Sequence, residues 1–226
     1  MRINKFVAQA SGLSRRAADT AIEQGRVLVD GRPPIPGQQI TDTQKITLDG
    51  QRLHAQTTHR TILLNKPAGF VVSRNGQGSK TIYDLLPAEL HSLKPIGRLD
   101  KESSGLLLLT DDGLLAHELT HPRFAKQKIY EVELDNPLRP LHRQMISDQG
   151  IQLEDGPSKL QLERLEEGND IAWRVTMHEG RNRQIRRTFA ALGYEVKKLH
   201  RTHFGAFVLP PGLTSGAYQR HHEAKK

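Results

Sequence analysis

Arg98 and Asp100 stand two residues apart in PIGRLDKESSGLLLLT, just ahead of the four leucines Leu106–Leu109. In an extended chain, residues two apart point to the same face. A guanidinium and a carboxylate are therefore expected side by side next to a core strand. A charge in that place is costly unless it is paired. Such a carboxylate has two uses: half of a structural ion pair, or a nucleophile.

A second concentration of charge lies in EGRNRQIRRTFAALGYEVKKLHR. Arg181, Arg183, Arg186 and Arg187 surround Gln184 and Ile185, and Lys197 and Lys198 follow, with Glu195 the one acid from residue 181 onward in this stretch. On a helix Arg183 and Arg187 are i,i+4 neighbours, a like-charge pair costing about 0.2–0.5 kcal/mol. Such a cluster makes sense where phosphates supply the counter-charge. The helical phase turns Arg186 toward the core, where it needs a carboxylate, and Asp100 is a carboxylate that needs an arginine.

Other chemistries lack their residues. The chain has 226 residues and no cysteine, which excludes a disulfide scaffold, a thiol nucleophile and Cys-ligated zinc. There is no Walker loop, no G-x-G-x-x-G after a strand, no H-E-x-x-H and no G-x-S-x-G elbow. SRNGQGSKT imitates a phosphate loop, but Ser79 rather than Gly precedes Lys80, so a hairpin loop is expected. No metal or cofactor is expected. With 33 Lys and Arg against 25 Asp and Glu, the formal charge is +8, which points to a polyanionic partner. Neither a signal peptide nor a membrane span is evident, and a cytoplasmic monomer is expected.

The elements that position these groups fall into two parts. Residues 1–53 read as a miniature domain: a helix over INKFVAQA with Ile3, Phe6, Val7 and Ala10 on one face, and a second helix capped by Ser14. Ala17, Ala18, Ala21 and Ile22 form the second helix's apolar stripe, Gly25 stops it, and RVLVDG and KITLDG read as short strands. HAQTTHR, residues 54–60, reads as linker. From 61 to 218, strands are expected at TILLNKP, GFVVS, QKIYEVEL, KLQLERL and IAWRVTM, with helices at TIYDLLPAEL, LLAHELT and PLRPLHRQMISDQGI. A basic helix stopped by Gly193 comes next, then further strands; residues 219–226 read as a polar tail.

RINKFVAQASGLSRRAADTAIEQGRVLVDGRPPIPGQ resembles the S-four RNA-binding module, in which the second helix and following turn meet structured RNA. That resemblance gives Arg15 and Arg16 an RNA-binding role. GRLDKESSGLLLLTDDG, QKIYEVEL and EGRNRQIRRTFAALGYEVKKLHR resemble, in order, the three signature regions of RsuA/RluB-type pseudouridine synthases, with LNKPAGFVVS and THPRF as flanking matches. The resemblance implies an α+β fold in which the S-four module precedes a catalytic domain on a largely antiparallel sheet with flanking helices. It implies that Asp100 is the catalytic aspartate, Tyr130 stacks on the flipped uracil, and Arg186 pairs with Asp100. Arg98 would help open the RNA, and Ile185 would line an apolar pocket. The remaining basic residues, Arg181, Arg183, Arg187, Lys197 and Lys198, would meet RNA. The expected partner is ribosomal RNA, large-subunit RNA being favoured over small-subunit RNA. The alternative is a non-catalytic RNA-binding factor in ribosome assembly, which would need the basic surfaces but no carboxylate.

Overall fold

The computed structural model describes residues 1–54 and 58–221, which fold as two compact units, Met1–His59 and Arg60–Lys226. In the first unit α1 (Ile3–Ser11) and α2 (Arg15–Glu23) precede a three-stranded antiparallel sheet of β1 (Val27–Val29), β2 (Ile46–Leu48) and β3 (Gln51–Arg52). Ser14 caps α2 by accepting from the Ala17 amide at 3.0 Å. Ile3, Val7, Ala18, Ala21 and Ile22 close over β1 and β2, whereas Ala17, expected in the stripe, is exposed. The centre of the expected linker, residues 55–57, lies outside the described residues.

In chain order the second unit comprises β4 (Thr61–Lys66), β5 (Lys94–Ile96), β6 (Ser104–Thr110), α3 (Gly113–Thr120), β7 (Lys128–Leu134) and α4 (Pro140–Gln144). There follow β8 (Ile151–Leu153), β9 (Gly156–Ser158), β10 (Gln161–Arg164), β11 (Ala172–Met177), α5 (Gln184–Ala190), β12 (Val196–Phe204), β13 (Phe207–Val208) and β14 (Tyr218–His221). The main sheet runs β10-β11-β7-β12-β6-β4-β14, with β5 and β13 paired at its side. All its pairings are antiparallel except β12 with β6, a short parallel seam through His200–Ser104 and Arg201–Gly105. No helix among the described residues is long and apolar enough to cross a membrane.

The four leucines are explained by burial on both faces of the sheet. Leu107 and Leu109 join the core with Ile62, Leu64 and Phe189, while Leu106 and Leu108 pack with Leu63, Leu119 and Phe204 on the other side. In β7 the buried residues are Tyr130, Val132 and Leu134, so the strand alternates regularly once the tyrosine is counted as inward and Ile129 is not.

Several expected elements differ. Pro87 divides TIYDLLPAEL, leaving two single 3-10 turns, Ile82–Leu85 and Ala88–Leu90. GFVVS forms no strand, only a bridge between Val71 and Thr81. Residues 97–103 are a loop rather than a strand, so Arg98 and Asp100 owe their placement to side-chain and backbone contacts, not to β alternation. Residues 219–221, expected in the tail, belong to β14 and pair with β4; residues 222–226 lie outside the described residues.

Candidate active site

A cleft of about 510 Å³ opens over β7 and β12, between the 97–103 loop and the start of α5. It collects Arg98, Asp100, Tyr130, Arg181, Arg183 and Ile185; Arg186, Arg187, Lys197 and Lys198 do not line it. Arg15 and Arg16 sit exposed at the start of α2, in the first unit.

The loop bearing Asp100 is built around a buried cation that sequence reasoning passed over. Lys66 ends β4 fully buried, and its ammonium donates to the carbonyls of Ser103 at 2.6 Å, Pro67 at 3.0 Å, Asp100 at 3.1 Å and Lys101 at 3.4 Å. The Gly69 amide adds a bond to Lys101 O at 2.7 Å, and the Ser103 amide one to Asp100 O at 3.1 Å. Several loop carbonyls thus converge on one charge, fixing the backbone of Asp100 while its carboxylate takes no part in that contact. Burial pushes the Lys66 ammonium down to about 8, with the charges of Asp100 and Glu102 acting in the opposite direction. The signal available in the sequence was a lysine closing an otherwise apolar strand, in LNKP.

The expected Asp100–Arg186 ion pair is not formed. The cation closest to the carboxylate is Arg183, whose Nη1 lies 3.9 Å from Asp100 Oδ2 and 3.1 Å from Glu102 Oε2. Arg183 is the N-cap of α5 and adopts a left-handed backbone, φ 46°, which costs a non-glycine residue of the order of 1 kcal/mol. Arg186, one turn further on, binds backbone instead. Its Nη1 donates to the Val196 carbonyl at 2.6 Å and its Nη2 to the Glu102 carbonyl at 3.4 Å, while Nε is buried without a partner. Burial lowers the Arg186 pKa first and the charge of Arg183 lowers it further, against the opposing pull of Asp100 and Glu102. Asp100 and Arg186 feel each other's charge but do not touch; Arg186 holds the loop to the start of β12. The Asp100 side chain is 32% exposed, so the free site is not dry and a bound base would have to exclude the water.

Arg181 and Arg187 find their counter-charge within the fold. Arg187 makes a two-armed contact with Asp155, Nη1 to Oδ1 at 3.0 Å and Nη2 to Oδ2 at 2.7 Å. Arg181 donates to Asp155 Oδ1 at 2.8 Å and to the carbonyls of Asp155, Gly156 and Pro157, tying the β8–β9 hairpin to α5. The Asp155 carboxyl is held below the usual range, first by the Arg187 hydrogen bond. Lys197 pairs with Glu195 at 2.6 Å, and Lys198 is exposed. The four arginines therefore divide: Arg183 faces the carboxylate, Arg186 braces the loop, and Arg181 and Arg187 hold a hairpin.

Tyr130 is 8% exposed and reaches the cleft from the middle of β7, and Ile185, buried in the first turn of α5, lines the same cleft. Ser103, 1% exposed, also lines the cleft with an unpartnered Oγ. Gly105 lies below. It has φ +99°, and a Cβ there would fall onto the Arg201 backbone, within 2.6 Å of its amide nitrogen. Only glycine admits the close parallel seam between β6 and β12. Among the described residues no group of His, Cys, Asp or Glu is arranged to hold a metal.

A mixed, mostly antiparallel sheet thus carries an aspartate on a braced loop, a tyrosine at its middle and a basic helix start around one cleft. Residues 60–191 match the RNA pseudouridylate synthase family and residues 1–41 the S-four domain; the chain belongs to the RNA pseudouridylate synthase family. It is 36% identical to the ribosomal small subunit pseudouridine synthase A of Pasteurella multocida, covering 97% of this chain and 95% of the relative. It is also 36% identical to the ribosomal large subunit pseudouridine synthase B of Bacillus subtilis, covering 95% and 89%. A solved pseudouridylate synthase superimposes with a TM-score of 0.71 at 35% identity, over 99% of this chain and 96% of that one.

Arg187→Ala gives the first test of this division. Because Arg187 is committed to Asp155, the substitution should lower the melting temperature and leave RNA affinity and its salt dependence as in the wild type. A shallower salt slope with an unchanged melt would return Arg187 to the RNA-contacting surface.

Proposed function

We propose that the protein isomerises a uridine of ribosomal RNA to pseudouridine without a cofactor, Asp100 acting as the nucleophile. The observation that carries this reading is the placement of Asp100. Its backbone is fixed by a buried ammonium while its carboxylate projects into a cleft shared with Tyr130. The base must leave the helical stack to reach that cleft. Tyr130 gives its ring to the flipped uracil, Ile185 closes the opposite wall, and Arg98, exposed on the loop, occupies the vacated stack. Arg183 balances the carboxylate, and Arg186 serves as a positioning residue. Arg15 and Arg16 of residues 1–53 place the substrate, and residues 61–218 carry the chemistry. The protein works as a monomer in the cytoplasm, where ribosomes are assembled.

Large-subunit RNA is the favoured substrate, although relatives named for either subunit resemble the chain about equally. Carbodiimide mapping of both ribosomal RNAs, with and without the gene, tests the proposal. One uridine should lose its stop when the gene is removed; unchanged maps of both RNAs would reject it.

Deleting residues 1–53 should weaken RNA binding and flatten its salt dependence, while turnover persists at high enzyme concentration. For every phosphate no longer neutralised, the slope of log K against log salt becomes shallower by about 0.7–0.9. An unchanged slope would remove Arg15 and Arg16 from the interface.

A further inference from the structure

Arg201 presents an unmet demand at the floor of the cleft. It is 2% exposed, yet it makes no ion pair among the described residues. Its Nε donates to the Leu106 carbonyl at 2.8 Å, and Nη2 is sealed from solvent with no partner. Lys66, equally buried, has four carbonyls for its ammonium. A buried guanidinium left so poorly served is costly to the fold. Such a group is tolerated where a negative charge arrives during function.

Its surroundings narrow down what arrives. Arg201 stands directly opposite Tyr130 in the antiparallel β7–β12 register, and both line the cleft that holds Asp100. Opposite residues in such a pair share a face of the sheet, their Cβ atoms about 5 Å apart. The guanidinium lies 4.8 Å from the centre of the Phe204 ring, and the Lys128 ammonium lies 5.3 Å from the same ring. Two cations thus lie against one aromatic ring, and all three line the cleft. Burial and the charge of Arg201 both lower the Lys128 pKa. A phosphodiester must stay at the mouth of the cleft, because the strand has to continue out of it. Only a flipped base reaches the floor.

The reaction makes that base negative. When the C1′–N1 bond breaks, its electron pair stays with uracil, which becomes a monoanion with charge spread over N1, O2 and O4. After the ring turns, C5 supplies the pair for the new bond to C1′, the C5 proton leaves to a base, and N1 takes up a proton. The net composition is unchanged, whichever way C1′ is held meanwhile. The anion exists only between these steps, so a preset cation beside it favours the transition state over the neutral ground state.

We propose that Arg201 is a further catalytic residue. It donates from its unpaired guanidinium nitrogens to the carbonyl oxygens of the detached uracil and stabilises the monoanion, with Lys128 adding charge. The inference rests on the pseudouridine synthase reading above.

The experiment is single-turnover kinetics at saturating enzyme, on the mapped RNA fragment carrying either uridine or 5-fluorouridine at the target. Loss of the N-linked nucleoside is followed by chromatography of the digest. Fluorine makes uracil the better leaving anion and lessens its need for help. Arg201→Gln should slow cleavage about 100-fold with uridine, and markedly less with 5-fluorouridine. Arg201→Lys, which keeps the charge, should recover part of the rate, and Lys128→Gln should show the same base dependence more weakly. The proposal is overturned if folded Arg201→Gln keeps the wild-type rate or loses the same factor on both bases. It is equally overturned if that variant changes only RNA affinity and its salt slope, the mark of a phosphate contact. Should Arg201→Gln fail to fold, Lys128→Gln decides in the same way: an equal factor on both bases overturns it. Absence of wild-type turnover on uridine RNA would instead strike the underlying reading.

Discussion

Asp100→Asn should fold, bind RNA and form no pseudouridine. The geometry makes this prediction sharper than a simple loss-of-charge argument would. Among the described residues the one cation within ion-pair distance of the carboxylate is Arg183, at 3.9 Å, and both side chains are substantially exposed. A pair of that kind contributes about 0–1 kcal/mol, so the melting temperature should hardly change. The bond that organises the loop comes from Lys66 to the backbone carbonyl of residue 100, and asparagine keeps it. With the fold intact, loss of turnover reports the nucleophile itself. The measurement is tritium release from RNA labelled at uracil C5, run beside a thermal melt and a binding titration. Substantial release by the folded variant would sink the mechanism.

Lys66→Met should be damaging for a different reason. Methionine fills the channel but leaves the carbonyls of Pro67, Asp100, Lys101 and Ser103 without their shared donor. Leaving buried polar groups unpartnered costs about 1–3 kcal/mol each. With some of these carbonyls partly compensated by Gly69 and Ser103 amides, a total of about 2–4 kcal/mol is expected, again from the cost of buried unpartnered groups. Turnover should fall further than RNA affinity, because the disturbed part is the loop that aims Asp100. A melt and a rate both equal to the wild type would show that the loop stands without the ammonium. The same group gives a pH signature. Its folded pKa of about 8 lies below the ordinary 10.5. Between those values the unfolded chain holds a proton that the folded chain has released, so this group's contribution to stability rises with pH. The neutral amine has one N–H fewer for the carbonyls, so turnover should drop through pH 8 without a parallel drop in melting temperature.

The sequence made the contiguous patterns legible. Ser14 with the alanines of α2, and the leucines before Thr110, declare a capped helix and a doubly buried strand through local spacing alone. Asp100, Tyr130 and Ile185 could be named because each sits in a long motif, and the fold brings them to one cleft. What stayed hidden depends on partners far along the chain. Asp155 takes up Arg187 across 32 positions, and Glu102 meets Arg183 across 81, so arginines that look alike in sequence have different work. Periodicity also misleads where a proline cuts it, as at Pro87, or where a loop imitates a strand, as between Gly97 and Ser103. Lys66 escaped notice because a single cation in an apolar strand gives no pattern, and Arg201 because it is one of several basic residues in its strand; only burial exposes their importance.

The pairing of β14 with β4 places His221 opposite Thr61, so the second unit is entered and left on neighbouring strands. Its backbone is therefore nearly a closed ring. A short bridge between those two strands would join the ends without crossing the cleft. New ends could then be opened at the exposed turn around Gly168, far along the sequence from the Asp100 loop. A circular permutant of this kind should keep the sheet order intact. It would also let residues 1–53 be tethered to a different point of the second unit.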